Sequence, residues 1–219
     1  MSVSILHNAD ISHIEKQAFE NGLLKVMPSS FYKSLDENSL KLFMLNHGIY
    51  VIPTTELIDW LKENIYKTEN IYETAIEIGA GLGTIARALQ IPITDSRMQE
   101  FPDVKLIYNM GGQPTIKYPS DVEKLDYKEA IIKYKPKTVI GCFITHKHKS
   151  GMSTGNMYGV EEEYILKNVQ RYINIGNLQT HKDKPILKEK STEYNFDWLI
   201  TRSNNQSLNR IWVYDQKQS

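Results

Sequence analysis

The fold of this chain is decided by Ala75-Ile-Glu-Ile-Gly-Ala-Gly-Leu-Gly83. A short run of β-branched and small residues over 74–78 predicts a buried strand, and three glycines follow at alternating positions. The next six residues, Thr84 to Leu89, predict the start of a helix. A strand, a glycine turn and a helix in this order direct free backbone N–H groups and a positive helix end at a ligand. Glycines also let the backbone approach that ligand closely.

Two classes of ligand compete for this turn. A dinucleotide site has the spacing Gly-x-Gly-x-x-Gly, whereas here the third glycine comes one residue early and Thr84 takes its place. The run Glu-x-Gly-x-Gly-x-Gly resembles instead the first motif of class I S-adenosylmethionine (SAM)-dependent methyltransferases. The resemblance implies that Glu77 helps to hold the ammonium group of SAM. It also implies cofactor contacts from the turn, at Gly79, Ala80, Gly81 and Gly83. A tight turn without a ligand is the alternative, because glycine-only motifs also arise by chance.

The composition excludes several classes of protein. The 219 residues include 26 Lys and Arg and 26 Asp and Glu, so the chain lacks the basic excess of a general polyanion binder. Its single cysteine, Cys142, lies in an apolar run, so no intrachain disulfide is possible and a reducing, cytoplasmic location is expected. We find neither a signal peptide nor an apolar run of membrane-spanning length, and we expect no membrane partner.

The first 70 residues carry helix signals without a strand signature. Asp36 precedes one apolar helical pattern and is suited to capping it, and Thr54 or Thr55 is suited to capping the next. We therefore predict a helical N-terminal cap over 1–70 and a methyltransferase-like SAM-binding domain over 71–219. Many members of the resembled family have such an extension over the SAM pocket, which implies that Tyr50 and Thr54 reach the ligand. The alternative is a helical layer that only covers one face of the sheet.

The resemblance implies further cofactor contacts after the second and third strands. Ile91 to Asp95 predicts a second strand that ends in an acid, and in the family this acid accepts hydrogen bonds from both ribose hydroxyls. The ribose role therefore falls on Asp95, with Ser96 beside it, unless Asp95 only caps a turn. Asp121 and Val122 match the place where the family binds adenine. The alternative there is an exposed helix cap.

The segment between these two places departs from the family. Residues 97–114 are rich in turn residues and include the pair Gly111-Gly112. A helix is usual here, but we predict a hairpin in which 104–108 pairs with 115–118. The predicted hairpin would therefore replace the helix that usually follows the second strand, on one flank of the sheet.

The strongest strand signal is the apolar run from Thr138 to Thr145, which predicts a strand buried on both faces of a parallel sheet. Ligands bind beyond the carboxyl ends of such strands, so Thr145 and His146 are expected to face the methyl group. Neutral imidazole takes up a proton near pH 7, which makes His146 the candidate catalytic base. A solvated loop is the main alternative. A metal site has less support, because no other Cys/His cluster has suitable spacing.

The C-terminal part completes the predicted sheet. Residues 150–159 form a long flexible loop, which we interpret as a substrate loop or lid. A strand over 171–175 is followed by Thr180 and His181, which are therefore expected on the substrate side. Residues 196–201 and 210–214 predict a closing antiparallel hairpin. The predicted fold is α/β: a three-layer sandwich with a mostly parallel seven-stranded sheet that ends in an antiparallel hairpin, plus the helical N-terminal cap.

The resemblance implies methyl transfer from SAM to a small-molecule or protein acceptor. The Asn-Pro-Pro-Tyr or Asp-Pro-Pro-Tyr run of amino-methylating nucleic-acid enzymes does not occur in the chain. A SAM-binding protein without catalysis, acting as a sensor or interaction module, is the first alternative. A nicotinamide-dependent dehydrogenase is the second, but the glycine spacing and the missing Tyr-x-x-x-Lys pair argue against it.

Overall fold

The structure is a computed structural model that describes residues 10–65, 74–151 and 153–216. The elements of the N-terminal part are α1 (Ser12–Ala18), β1 (Phe19–Glu20), β2 (Leu23–Leu24), α2 (Ser29–Lys33), α3 (Glu37–Asn46) and α4 (Thr55–Asn64). Two of the predicted helix caps are confirmed. Asp36 accepts a hydrogen bond from the Ser39 N–H, and Thr54 accepts one from the Leu57 N–H. The predicted boundary near residue 70 lies outside the described residues.

The rest of the chain alternates strands and helices. In chain order they are β3 (Ala75–Ile78), α5 (Thr84–Leu89), β4 (Thr94–Asp95), α6 (Pro102–Met110), β5 (Glu123–Lys124), α7 (Tyr127–Tyr134), β6 (Thr138–Cys142), α8 (Glu162–Asn168), β7 (Arg171–Asn177), α9 (Leu178–His181), β8 (Thr192–Tyr194) and β9 (Asn209–Asp215). The predicted strand, glycine turn and helix at 74–89 are confirmed. None of the described helices is both long and apolar enough to cross a membrane.

The central sheet has five strands in the order β3-β6-β7-β9-β8. Strands β3, β6 and β7 run parallel, and β9 runs antiparallel to both of its neighbours. Strands β4 and β5 form a separate parallel pair, which meets the edge strand β3 through one bridge between Glu77 and Ile93. The predicted single seven-stranded sheet is therefore not found, because the described ladder between β3 and β4 is limited to that bridge.

Helices cover both faces of the sheet, since successive strand residues point to opposite sides. On one face, Ile140 and Ile173 pack with residues of α4 and α5, including Leu57 and Leu61. On the other face, neighbouring strand residues pack with α7 and α8. A third apolar cluster lies mainly among α1 to α3 and includes Ile200 from the C-terminal part.

Two predicted elements are wrong. The first strand of the predicted hairpin, 104–108, lies in the nine-residue helix α6, with Pro102 at its start and Asp103 in its first turn, and the second, 115–118, has no regular structure. Proline is favoured at the first helical position and an acid near the positive helix end, so these local signals outweigh the Gly-Gly turn. The closing antiparallel pair exists, but its first strand is Thr192–Tyr194 rather than 196–201.

Candidate functional site

A cavity of about 200 Å³ lies where the glycine turn meets the end of β6. We call it the turn cavity. The following residues from four parts of the chain line it: Leu24, 48–51 and Pro53; Glu77, 79–82, Thr84 and Ile85; Asp95, Ser96, Met98, Gln99, Tyr108, Ile116 and Tyr118; 142–145 and 158–160. The turn cavity therefore joins the N-terminal part to the carboxyl ends of the parallel strands.

The glycines shape this cavity through their backbone. Gly79 and Gly81 have φ angles of +57° and +56°, in the left-handed region that side chains disfavour. A Cβ atom on Gly79 would lie 2.6 Å from Cδ1 of Ile144, so even alanine would need that neighbour to move. Gly83 precedes α5 with a φ of +69° but does not line the cavity.

Glu77 is a buried acid at the end of β3, with 2% of its surface exposed. Its Oε2 accepts a hydrogen bond of 2.9 Å from the Ala86 N–H in the first turn of α5. Burial raises the pKa of this carboxyl to about 8 despite that hydrogen bond. Glu77 is therefore mostly protonated near neutral pH and is poised to ionise when a cation arrives.

Asp95 closes the opposite side of the glycine turn and is 7% exposed. Its carboxylate accepts the Gly81 N–H at 3.0 Å and the Arg97 N–H at 2.6 Å. Burial raises the pKa of Asp95, and these N–H donors together with the Tyr118 hydroxyl counteract the increase. A carboxylate has about four acceptor positions, and these three donors leave Asp95 one position for a further donor.

Most of the cofactor residues expected from the sequence lie around the turn cavity. They are Glu77, Gly79, Ala80, Gly81, Asp95, Ser96 and Thr145. Tyr50 also lines the cavity, whereas Thr54 is buried beneath the start of α4.

Asp121 and Val122 are not brought to the turn cavity. Both Asp121 oxygens are bound by Arg87, with N–O distances of 2.7 and 2.8 Å, and the Asp121 side chain is 46% exposed. Val122 is buried and packs close to Gly83. The geometry therefore gives no support to the predicted adenine contacts of this pair.

Several cavity residues were missed in the sequence. They come from 98–118 and are Met98, Gln99, Tyr108, Ile116 and Tyr118. The Tyr108 hydroxyl lies 3.3 Å from the Tyr50 hydroxyl, which links α6 to the N-terminal part across the cavity. The hydrophobic periodicity of a helix does not show which residue of another segment an aromatic side chain contacts. The wrong prediction of a hairpin also placed Tyr108 in a strand, away from Tyr50.

A second cavity of about 260 Å³ adjoins the first, and we call it the histidine cavity. Its lining is Tyr50, 143–146, Thr154, Gly155, Thr180, His181, Asp183 and Lys184. Tyr50 and residues 143–145 belong to both cavities. The predicted placement of His146, Thr180 and His181 together at one end of the sheet is thus observed, although their roles stay predictions.

Both histidines of this cavity favour the neutral form. His146 is buried, and one of its ring nitrogens, Nε2, lies 3.3 Å from Oγ1 of Thr154. Burial and then the charge of Lys184 lower the pKa of His146. The same two causes lower the pKa of His181 to about 4.

A buried ion pair lies behind the histidine cavity. Lys184 Nζ lies 2.7 Å from Oε1 of Glu162, and the two side chains are 2% and 3% exposed. Lys184 also donates to the Ile144 carbonyl at 2.9 Å, and the Tyr172 hydroxyl donates to Glu162 at 3.0 Å. The charge of Lys184 is thus neutralised inside the protein, and its position fixes the segment between the two cavities.

Phe143 separates the two cavities in a strained conformation. Its φ of +52° is unfavourable for a residue with a side chain. The Phe143 N–H donates to the Ile175 carbonyl at 2.8 Å. Its ring centroid lies 5.8 Å from that of Tyr50 and 5.0 Å from that of His181. Backbone pairing and these ring contacts together hold the strained residue in place.

The described residues contain no group of three or more His, Cys, Asp or Glu side chains arranged to hold a metal ion. We therefore assign no metal ligands. The metal alternative for His146 receives no support from the described part of the chain.

Comparisons with known proteins give little further guidance. No family model matches the chain, and no curated protein matches it. An rRNA methylase of known structure from Streptococcus thermophilus is similar at 12% identity with a TM-score of 0.40, over 74% of this chain and 94% of that chain. A similarity at this level supports no conclusion about the activity or substrate of the present protein.

Proposed function

We propose that this protein binds SAM in the turn cavity and transfers its methyl group to an acceptor. The observation that carries the proposal is the left-handed glycine turn, which opens onto a cavity flanked by two buried acids, Glu77 and Asp95. SAM presents an ammonium group and a ribose diol, which are suitable partners for two such acids. The order of strands adds support, since one antiparallel strand in a parallel sheet is the pattern of the resembled family.

The residues of the turn cavity fit the parts of this cofactor. The glycine turn would lie under the methionine part, Glu77 would hold the ammonium group, and Asp95 would accept from a ribose hydroxyl. Binding a cation next to Glu77 lowers its pKa, so the carboxyl ionises as the ligand enters. Tyr108 and Tyr50 would cover the ligand from the side of the N-terminal part.

SAM, when bound, supplies a methyl group on a positively charged sulfur that a nucleophile displaces in line. The protein's contribution is mainly to hold the acceptor close and aligned, which is sufficient for large accelerations. His146 is neutral and buried beside the shared wall of the two cavities, so its imidazole is available to take a proton from the acceptor. Tyr50 and Phe143, which line both cavities, would help to shield the transfer from water.

Calorimetry tests the proposal directly. We expect S-adenosylhomocysteine (SAH) and SAM to bind the wild type and NAD not to bind. Gly81→Arg should weaken SAH binding at least about 100-fold, because the new side chain fills the cavity. Gly112→Ala is the matched control: Gly112 also has a left-handed φ, of +64°, and a Cβ there meets nothing within 4 Å.

Two results would overturn the proposal: no SAH binding by the wild type, or equal binding by wild type and Gly81→Arg. Incubation with radiolabelled SAM and fractionated cell extract then tests the transfer step. SAH binding without transfer to any fraction would favour the alternative, a SAM-binding protein without catalysis.

A further inference from the structure

We propose that the histidine cavity holds the methyl acceptor and that this acceptor is an uncharged planar ring bearing a hydroxyl group. This inference rests on the proposed function, because it takes the turn cavity as the cofactor site. The two cavities share Tyr50, Phe143, Ile144 and Thr145, so a molecule in one lies against the same wall as a molecule in the other.

The charges around the histidine cavity disfavour an anionic acceptor. Lys184 is the cation in its lining, and both Glu162 and the Ile144 carbonyl already bind its Nζ. Asp183, which is exposed, adds a negative charge at the mouth. A carboxylate or phosphate would therefore find no unpaired cation among the described lining residues and would meet a like charge. A cation would have only that exposed carboxylate, whose attraction water and salt weaken.

The walls of the histidine cavity favour a flat ring. Phe143 lies between Tyr50 and His181, with ring centroids 5.8 and 5.0 Å away. The guanidinium of Arg202 lies 3.9 Å from the centroid of the Tyr50 ring and so holds that ring in place. Aromatic walls attract planar rings by stacked or edge-on contacts. The volume of about 260 Å³ suits a ligand of one or two rings, since cavities near 150 Å³ hold benzene.

The contacts of Asn177 favour one tautomer of His181. Asn177 is the N-cap of α9, so its carbonyl accepts the first bond of that helix. Nδ1 of His181 lies 3.0 Å from the buried Asn177 N–H and 3.0 Å from the Asn177 carbonyl oxygen, so it either accepts from the first or donates to the second. Because the N-cap carbonyl already has a donor in the helix, we assign the form in which Nδ1 accepts from the N–H. The proton of the neutral ring is therefore on Nε2, for which the described residues provide no hydrogen-bond partner. His181 thus offers one N–H donor to the oxygen of a bound hydroxyl compound, as a positioning residue.

In the proposed methyl transfer, His181 positions the acceptor hydroxyl and His146 takes up its proton. The acceptor oxygen forms a bond to the methyl carbon while the bond between that carbon and sulfur breaks, and the electron pair of the broken bond goes to sulfur. The proton of the acceptor hydroxyl passes to a ring nitrogen of His146. The products are a methyl ether, SAH and a protonated His146 that returns its proton to solvent.

Four single-ring probes separate the possible acceptor chemistries. Phenol, cyclohexanol, benzoate and benzylamine are titrated into the wild type saturated with SAH, and binding is followed by NMR. We expect phenol to bind at least about fivefold more tightly than each of the others, because only phenol combines a planar ring, a hydroxyl and no charge. Tighter binding of benzoate, benzylamine or cyclohexanol would overturn the inference.

His181→Asn tests the positioning role, because the asparagine oxygen can still accept the Asn177 N–H while the Nε2 donor is lost. This variant should bind SAH like the wild type and phenol about 5- to 10-fold more weakly. Nitrogen NMR of labelled wild type provides a second measurement that does not depend on the variant folding. It should show the proton of His181 on Nε2, and a proton on Nδ1 would overturn the assignment.

The controls distinguish the two proposals. If the wild type does not bind SAH, the proposed function fails and this inference fails with it. If SAH binds but phenol does not, only the acceptor class is wrong. A phenol site that SAH neither strengthens nor weakens also counts against the inference, because two ligands on one shared wall must influence each other.

Discussion

The two cavities differ in how the buried acid near each of them is neutralised. Next to the turn cavity, Glu77 forms no ion pair with any described residue, and burial raises its pKa to about 8. Behind the histidine cavity, Glu162 is paired with Lys184 at 2.7 Å. The first acid keeps a proton that an incoming cation can displace, whereas the second is already balanced. This contrast is one reason why we propose a charged ligand for the first cavity and an uncharged ligand for the second.

The largest expected effect follows from breaking the buried ion pair between Lys184 and Glu162. Lys184→Met should lower the free energy of unfolding by about 3–5 kcal/mol, because it leaves the buried Glu162 without its cation. The double variant Lys184→Met with Glu162→Gln should recover at least half of this loss, since the amide oxygen can still accept from Tyr172. Urea denaturation of the wild type, the two single variants and the double variant measures both effects. If the double variant loses as much stability as the two single variants together, Lys184 and Glu162 do not stabilise the protein as an ion pair.

The next largest effect is a pH dependence of stability that the buried carboxyl of Glu77 should cause. Its folded pKa of about 8 lies above the unfolded value of 4.5, so the folded protein keeps a proton that the unfolded chain releases. The wild type should therefore lose stability as pH rises from 4.5 through 8, by roughly 4 kcal/mol from this group. Glu77→Gln should lose much less over the same range. Urea denaturation at pH 5, 7 and 9 compares the two proteins, and parallel pH profiles would contradict the assignment.

A smaller effect compares two acids that the sequence linked to the same cofactor. Asp95→Asn should weaken SAH binding about 10- to 150-fold, because Asp95 faces the turn cavity and charged hydrogen bonds contribute about 1.5–3 kcal/mol. Asp121→Asn should change binding less than about threefold, since Asp121 is exposed and bound to Arg87. Calorimetry of both variants decides the matter. An equal loss in Asp121→Asn would support the adenine contact that the geometry does not show.

The smallest effect concerns the wall between the cavities. Glycine is normally about 1 kcal/mol less favourable than alanine within regular structure. At position 143 the order should reverse, with Phe143→Gly about 1 kcal/mol more stable than Phe143→Ala, because φ is +52°. Thermal or urea unfolding of the two variants measures the difference. The usual order, with alanine more stable, would show that Phe143 is not held under strain.

Local signals predicted much of this protein. The order strand, glycine turn, helix depends on neighbouring residues only, and the structure has it at 75–89. The helix caps Asp36 and Thr54 are equally local and are also confirmed. The error at 104–108 arose where two local signals disagreed. The Gly-Gly pair indicated a turn between strands, but in the structure it only ends the helix that Pro102 begins.

The histidine cavity was predicted only in part, for a physical reason. The position of His146 and His181 after parallel strands placed both at one end of the sheet. Lys184 and Glu162, however, lie in charged segments that are usually exposed on the surface. Their burial depends on how the residues after β7 pack against α8 and the end of β6. No spacing within either segment encodes that contact.

The chain's one thiol gives the turn cavity a natural reporter. Cys142 lines this cavity, and burial together with the neighbouring Glu77 raises its pKa, so the reactive thiolate is scarce. Alkylating reagents will therefore label the protein slowly and at a single position. A bound nucleoside would shield the sulfur further, so the rate at which one mass tag appears measures occupancy in the unmutated protein, without any fluorescent or radioactive label.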